Sequence, residues 1–236
     1  MSRSRSGPPP VAWVDVDGTL LAGRRSSEAG FMLHLLRRGC LGPRQGAAAL
    51  GFLLRHLPAY GRHVGKKDKA YLTGLEVERV QALAAAYAER ELAPRLRPAL
   101  LARLALHRAA GTAVLLLTGT PDFLAEPLAR RVGAEGCIAT RCAARDGRFL
   151  ARPPLRHPFG EEKLRLAEAW CRARGLDLAR CAAYGDSRYD LPLLEAVGEP
   201  VAVAPDPVLA REARRRGWTV LDGAPAGGHL SGPARP

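Results

Sequence analysis

Asp15 and Asp17 stand one residue apart in the stretch Trp13–Leu20, W-V-D-V-D-G-T-L, with Gly18 and Thr19 directly after them. Alternate side chains of an extended segment share a face, so the two carboxylates point the same way. Such a pair can hold a hard cation. One member can attack phosphorus while the other moves a proton. A calcium-loop reading fails, because Leu20 and Ser26 stand where that loop requires its glycine and its closing glutamate.

Three further polar groups fit the same chemistry. Thr118-Gly119-Thr120 follows an apolar run, Gly185-Asp186-Ser187 follows another with Asp190 close behind, and Lys163 sits in Gly160-Glu161-Glu162-Lys163. Only four of the 36 basic residues are lysines, and Lys163 is the one outside the cluster Lys66-Lys67-Asp68-Lys69. The carboxylates of Asp15 and Asp186, with the backbone carbonyl of Asp17, make an oxygen set suited to Mg²⁺. The Thr118 hydroxyl and the Gly119 amide can donate to phosphate oxygens. Lys163 adds a compact positive charge, and Asp190 is placed to orient it or a metal-bound water. Asp15 then forms an aspartyl-phosphate, while Asp17 protonates the leaving oxygen and later activates water. Each group alone has a duller use, as a turn, a helix cap or a solvated lysine. It is their joint occurrence that carries the reading.

The elements that must bring these groups together alternate. Val11–Val14 reads as a buried strand ended by the aspartates. Strands are also predicted at Ala113–Leu117, Cys137–Thr140, Cys181–Tyr184, Val201–Ala204 and Trp218–Leu221. Helices are predicted at Leu100–Ala110, Pro121–Val132, Glu161–Arg174, Asp190–Val197 and Pro207–Arg216, with a hairpin turn at Asp146-Gly147. This alternation implies an α/β fold, a doubly wound and mostly parallel Rossmann-like sheet whose carboxyl edge gathers the polar groups. About seventy residues after the first strand are helical instead: a Ser26-capped helix to Arg38, a stretch from Pro43 through Ala47–Leu54 ending near Pro58, and Glu76–Leu92. That is too long for a crossover and reads as an inserted helical cap domain. The expected bounds are a disordered tail at 1–10, a core at 11–22 and 98–222, the cap at 23–97, and a loose tail at 223–236.

The ordered set D-x-D-G-T-L, hydrophobic-Thr118-Gly119-Thr120, Gly160-Glu-Glu-Lys163 and Gly185-Asp186-Ser-x-x-Asp190 resembles the four motifs of the haloacid dehalogenase superfamily, from Val11 to about Leu221. The helical insert between the first two motifs is similar to the small-cap branch that includes phosphoserine phosphatases. The resemblance implies a Mg²⁺-dependent phosphomonoester hydrolase with Asp15 as nucleophile and Asp17 as acid and base. It implies a small organic phosphate as substrate. A lipid-like phosphate and transfer of the phosphoryl group to an alcohol are the alternatives, and a non-enzymatic basic binding module ranks last. Glu28 falls near the acidic residue that selects substrate in the phosphoserine branch, though displaced from it, and is a candidate for binding an amine.

The chain has 236 residues and a net charge of +13, with Arg predominating and aromatic residues at only 6%. Without a basic and aromatic ribbon, no specific nucleic-acid partner is expected. Five cysteines without C-x-x-C spacing read as free thiols in a cytoplasmic protein. No run of about 18 apolar residues predicts a membrane span. In the cap, Lys66 and Lys67 beside the apolar Ala47–Leu57 stretch suggest capture of an anionic group or weak contact with an anionic membrane surface. Oligomeric state is not legible.

Overall fold

The structure is a computed structural model and describes residues 7–23, 25–61 and 64–221, with the backbone alone for Lys66. The residues expected to form the loose tail, and the first six of the N-terminal tail, lie outside the described set.

Strand β1 (Val11–Val14) is fully buried and central. It pairs in parallel with β2 (Ala113–Pro121) on one side and β6 (Ala182–Gly185) on the other. The sheet is completed by β3 (Gly136–Thr140), β7 (Glu199–Val203) and β8 (Thr219–Leu221), in the order β3-β2-β1-β6-β7-β8. Every pairing in this sheet is parallel. Burial on both faces follows from the period of two. Ala12 and Val14 enter one apolar cluster, while Val11 and Trp13 enter another with α7 (Glu161–Arg172), α8 (Leu191–Ala196) and α9 (Pro207–Arg216) beyond it. On that second face Trp13 meets Trp170 edge-on, with ring centroids 5.3 Å apart.

Between β1 and β2 lie α1 (Ser27–Arg37), α2 (Pro43–Tyr60), a short α3 (Val64–Lys67), α4 (Val77–Tyr87) and α5 (Pro98–Ala109). Ser26 caps α1 as its position predicts, accepting from the Ala29 amide at 3.2 Å. Helix α2 ends at Tyr60, near Pro58 as expected. With so little helix left after the proline, the lost N–H and the ring clash are tolerated in the last turn. Two other sequence expectations need correction. The helix expected over Glu76–Leu92 is α-helical only to Tyr87; it widens over Ala88–Leu92 and tightens over Ala93–Arg95, ahead of and around Pro94, which cannot donate to the ladder. Strand β2 extends past Leu117, and α6 (Asp122–Val132) begins only after it. A register shift lets Pro121 pair with Thr140 of β3, so Thr118–Thr120 is an irregular strand end, not a strand-to-helix turn.

Asp146 and Gly147 join β4 (Ala144–Arg145) and β5 (Arg148–Phe149), both with positive φ, at 49° and 71°. That is the twist a two-residue hairpin requires. Among the described residues no helix is long and apolar enough to cross a membrane. All five cysteines are free thiols.

Candidate active site

The loop after β1 folds back on itself. The Asp15 amide continues the ladder to Tyr184 O at 3.1 Å, and the Leu20 amide returns to Asp15 O at 3.2 Å. Gly18 makes the turn with φ at +88°, and an added Cβ would fall 2.1 Å from Asp186 Oδ2. Only glycine allows both the backbone and that close approach. The Thr19 hydroxyl then donates to Asp186 Oδ1 at 3.0 Å, tying the first loop to the end of β6.

Lys163, in the first turn of α7, reaches the same point and is buried. Its Nζ lies 2.7 Å from Asp15 Oδ1 and 2.5 Å from Asp190 Oδ1. The other oxygen of Asp190 accepts from the Ser187 amide at 3.1 Å and hydroxyl at 3.0 Å. Asp190 is thereby fixed as the support of the lysine. Carboxylate oxygens of Asp15, Asp186 and Asp190 all lie within 4.8 Å of one another. Side chains separated by as many as 175 positions in sequence, from Asp15 to Asp190, are therefore in one cluster.

The neighbouring carboxylate is treated differently. Asp17 turns away from Lys163 and accepts from the Ser27 amide at 2.6 Å, the Ser27 hydroxyl at 2.9 Å and the Thr120 hydroxyl at 3.2 Å. Thr118 is buried and accepts from the Thr120 amide at 3.1 Å. Gly119 gives its carbonyl to the Thr140 hydroxyl at 2.6 Å.

Burial pushes the Asp15 carboxyl up to about 6, although Lys163 pulls it down. Burial, with the charges of Asp15 and Asp190, pushes Asp186 up to about 7. Burial also raises Asp17, against the three hydrogen bonds that favour its ionised form. Burial alone would lower Lys163, but Asp15 and Asp190 more than offset this and hold it above its usual value. When all three carboxylates are ionised, one ammonium leaves two negative charges uncompensated, which a divalent cation would neutralise. An all-oxygen donor set of this kind fits Mg²⁺. Asp15 and Asp186 have oxygens to offer it, whereas both oxygens of Asp190 are already engaged.

A cavity of about 320 Å³ opens onto this cluster, lined by Asp15, Asp17, Thr118, Gly119, Lys163 and Asp186 among others. His157, Phe159 and Tyr189 also line it, and the rings of Phe159 and Tyr189 lie 4.3 Å apart. Glu28 reaches the cavity as well, but its oxygens already accept from Lys69 Nζ at 2.5 Å and Tyr71 OH at 3.0 Å. Lys69 is buried, so the basic cluster is not a wholly solvated loop. Lys67 lies over the Tyr60 ring at 4.4 Å and lines an adjoining cavity that shares His157 and Phe159 with the first. The Lys66 side chain is outside the described residues. Ser27, Thr120, Thr19 and Ser187 hold the acids in place and were not singled out from sequence. Thr19, Thr120 and Ser187 are hydroxyl residues inside the motifs, whereas Ser27 lies ten positions beyond Asp17.

The model of the haloacid dehalogenase-like hydrolases matches residues 12–195 of this chain. Phosphoserine phosphatase SerB1 of Mycobacterium tuberculosis is 33% identical over 223 residues, which span 90% of this chain and 70% of that protein. A solved structure from Bordetella pertussis Tohama I, of a protein with unknown function, is 30% identical with a TM-score of 0.75 and covers 92% of this chain and 100% of its own. A phosphoserine phosphatase solved as a phospho-aspartyl intermediate analogue is 15% identical with a TM-score of 0.60, covering 92% and 95% of the two chains. At that identity the likeness is one of fold.

Proposed function

The chain belongs to the haloacid dehalogenase-like hydrolase family, as a phosphatase of that family, and on this premise we propose that it hydrolyses a phosphomonoester through an aspartyl-phosphate on Asp15. The observation that carries the reading is the unlike treatment of two acids two positions apart. Asp15 faces a buried ammonium at 2.7 Å, while Asp17 is held by hydroxyl and amide donors. Environments that differ in this way separate a nucleophile from a proton carrier.

In the first half-reaction an Asp15 oxygen attacks phosphorus and the bond from phosphorus to the leaving oxygen breaks. The protonated Asp17 gives its proton to that oxygen as it leaves. In the second, Asp17 takes a proton from water as the water attacks phosphorus. The bond to Asp15 then breaks and inorganic phosphate departs. Lys163 holds Asp15 in position and offsets charge on the transferring group. The Thr118 hydroxyl, once turned from the Thr120 hydroxyl to which it donates at 3.1 Å, and the Gly119 amide serve as phosphate donors. Asp15, Asp186 and the Asp17 carbonyl would hold Mg²⁺, which would supply the positive charge that lets an anionic carboxylate approach an anionic phosphate. The helical segment 23–97 acts as the cap that selects the alcohol.

A small organic phosphate is the first reading of the substrate, and phosphoserine is the obvious first trial given the name of the mycobacterial relative. Glu28, already compensated by Lys69 and Tyr71, is poorly placed to recognise its ammonium group. The adjoining cavity, lined by Tyr60, Pro153, Pro154 and Leu155 together with Lys67, Arg156 and Glu162, favours a second reading in which the alcohol is longer and carries an apolar part. A panel of phosphoserine, sugar phosphates and lysophosphatidate, assayed for free phosphate with Mg²⁺, separates the two. Asp15→Asn, close to isosteric, is expected to lower kcat by about 10³-fold or more while the fold is kept. Undiminished turnover by that variant would sink the mechanism.

A further inference from the structure

Helix α2 has two apolar faces, and the fold uses one. Phe52 is buried against Val64 and Ala70. On the other side Leu50, Leu54 and Leu57 are 58%, 66% and 49% exposed. At helical spacing Gly46, Leu50, Leu53 and Leu57 form one stripe along the helix. Among the described residues, six of the nine large apolar side chains left exposed belong to α1 and α2. Met32 and Leu36 of α1 continue the stripe into an apolar groove of about 520 Å³ against Gly46 and Ala49.

The charge of this region is one-sided. Residues 29–67 contain seven arginines and lysines and no aspartate or glutamate. A net charge of +13 thus draws more than half its excess from about a sixth of the chain. Arg44 and Arg55 fall on the flank of α2 away from the leucine stripe, where long stems can reach past an apolar contact to anionic groups.

We propose that the exposed face of α2, with the adjoining end of α1, seats on an anionic lipid bilayer surface. The combination of leucines and uninterrupted positive charge selects this occupant. A nucleic-acid backbone would meet the arginines and leave the leucines in water. A second copy of the chain would set seven positive charges against seven. A bilayer interface accepts both features at once, the leucines at the acyl boundary and the arginines among the headgroups. The helix lies on the surface and does not cross it. Its last residue, Tyr60, lines the cavity that shares His157 and Phe159 with the candidate active site, so the docked face and the site mouth are neighbours.

The test is sedimentation of the full chain with vesicles, in EDTA so that turnover plays no part. Vesicles of phosphatidylcholine with phosphatidylglycerol should pull the protein down, and vesicles of phosphatidylcholine alone should do so at least about tenfold less. Raising NaCl from ~0.1 M to ~0.5 M should release it. The variant Leu50→Gln/Leu54→Gln/Leu57→Gln should lose binding by about tenfold or more, with its circular dichroism and melting temperature kept. Equal sedimentation of the variant would assign the binding to other basic segments and overturn the proposal. So would equal binding to both vesicle types, or no binding to either. A wild-type dimer that the triple substitution turns into a monomer, without vesicle binding, would give the face to a second copy instead.

Discussion

At the scale of single residues, Lys163 decides whether the site can exist without a cation. Among the described residues it is the one ammonium in contact with the Asp15 and Asp190 carboxylates, and it is buried with Asp190. Removing one partner of a buried ion pair costs about 3–5 kcal/mol, because the partner's charge is left uncompensated. Lys163→Met is therefore expected to destabilise the metal-free protein by about that much in urea at pH 8. The sign with pH follows from the carboxyls. Asp15 and Asp186 already titrate near 6 and 7 when folded, well above the usual 3.8. Loss of the lysine raises Asp15 further, so the folded variant takes up protons on acidification before the unfolded chain does. The deficit should shrink between pH 8 and pH 5, and an equal deficit at both would show that the charges are not its source. These groups were legible in sequence because the chemistry admits few residue types at each place. Ser27 and Thr120 were not, since serine and threonine are ordinary at helix starts and strand ends and only the fold brings them to Asp17. Lys69 was hidden by its neighbours, because a run of four basic and acidic residues gives no sign that one of them pairs with Glu28, 41 positions away.

At the scale of elements, local signals served wherever local geometry decides the outcome. Ser26 caps its helix, and Asp-Gly turns the hairpin. They failed where tertiary pairing overrides them, as when β2 is drawn past Leu117 to meet β3. The seat of α5 on the sheet is another feature that only the fold reveals. Tyr184 of β6 accepts from Arg103 Nε at 2.9 Å and shares a hydrogen bond with His107 Nε2 at 2.6 Å. Burial lowers His107 from the usual 6.5, which favours the neutral imidazole in the fold. A histidine lowered on folding contributes stability that is present above its unfolded pKa and lost as pH falls through the folded value. Between pH 7 and pH 5 the wild type should therefore lose melting temperature through this contact. His107→Gln, which keeps a side-chain oxygen as acceptor, should lose less over the same interval. A steeper loss in the variant would mean that the imidazole is charged in the fold.

At the scale of the whole molecule, the helices between β1 and β2 and the sheet share a core. Phe31, Leu35, Tyr71, Val80 and Tyr87 belong to the same apolar cluster as Val14, Leu116 and Phe123. The rings of Phe31 and Phe123 lie 5.6 Å apart across the boundary. Backbone contacts close it on two sides. Arg95 and Arg97 donate to the carbonyls of Ala22 and Gly18, and the Phe149 and Gly74 amides exchange bonds with the chain at Leu75 and Phe149. A helical unit so attached cannot unfold without exposing the inner face of the sheet, which sets a large cost on any partly melted state. The distribution of chromophores makes this testable without labels. Trp13, Trp170 and Trp218 are the only tryptophans, and all belong to the apolar cluster on one face of the sheet or pack against it. Fluorescence therefore reports the sheet, whereas far-ultraviolet circular dichroism is dominated by helix, including α1, α2 and α4. The two urea transitions of the metal-free protein are expected to coincide in midpoint and slope. A dichroism midpoint that precedes the fluorescence midpoint would mean that the inserted helices melt first, and that the shared cluster is too weak to couple them to the sheet.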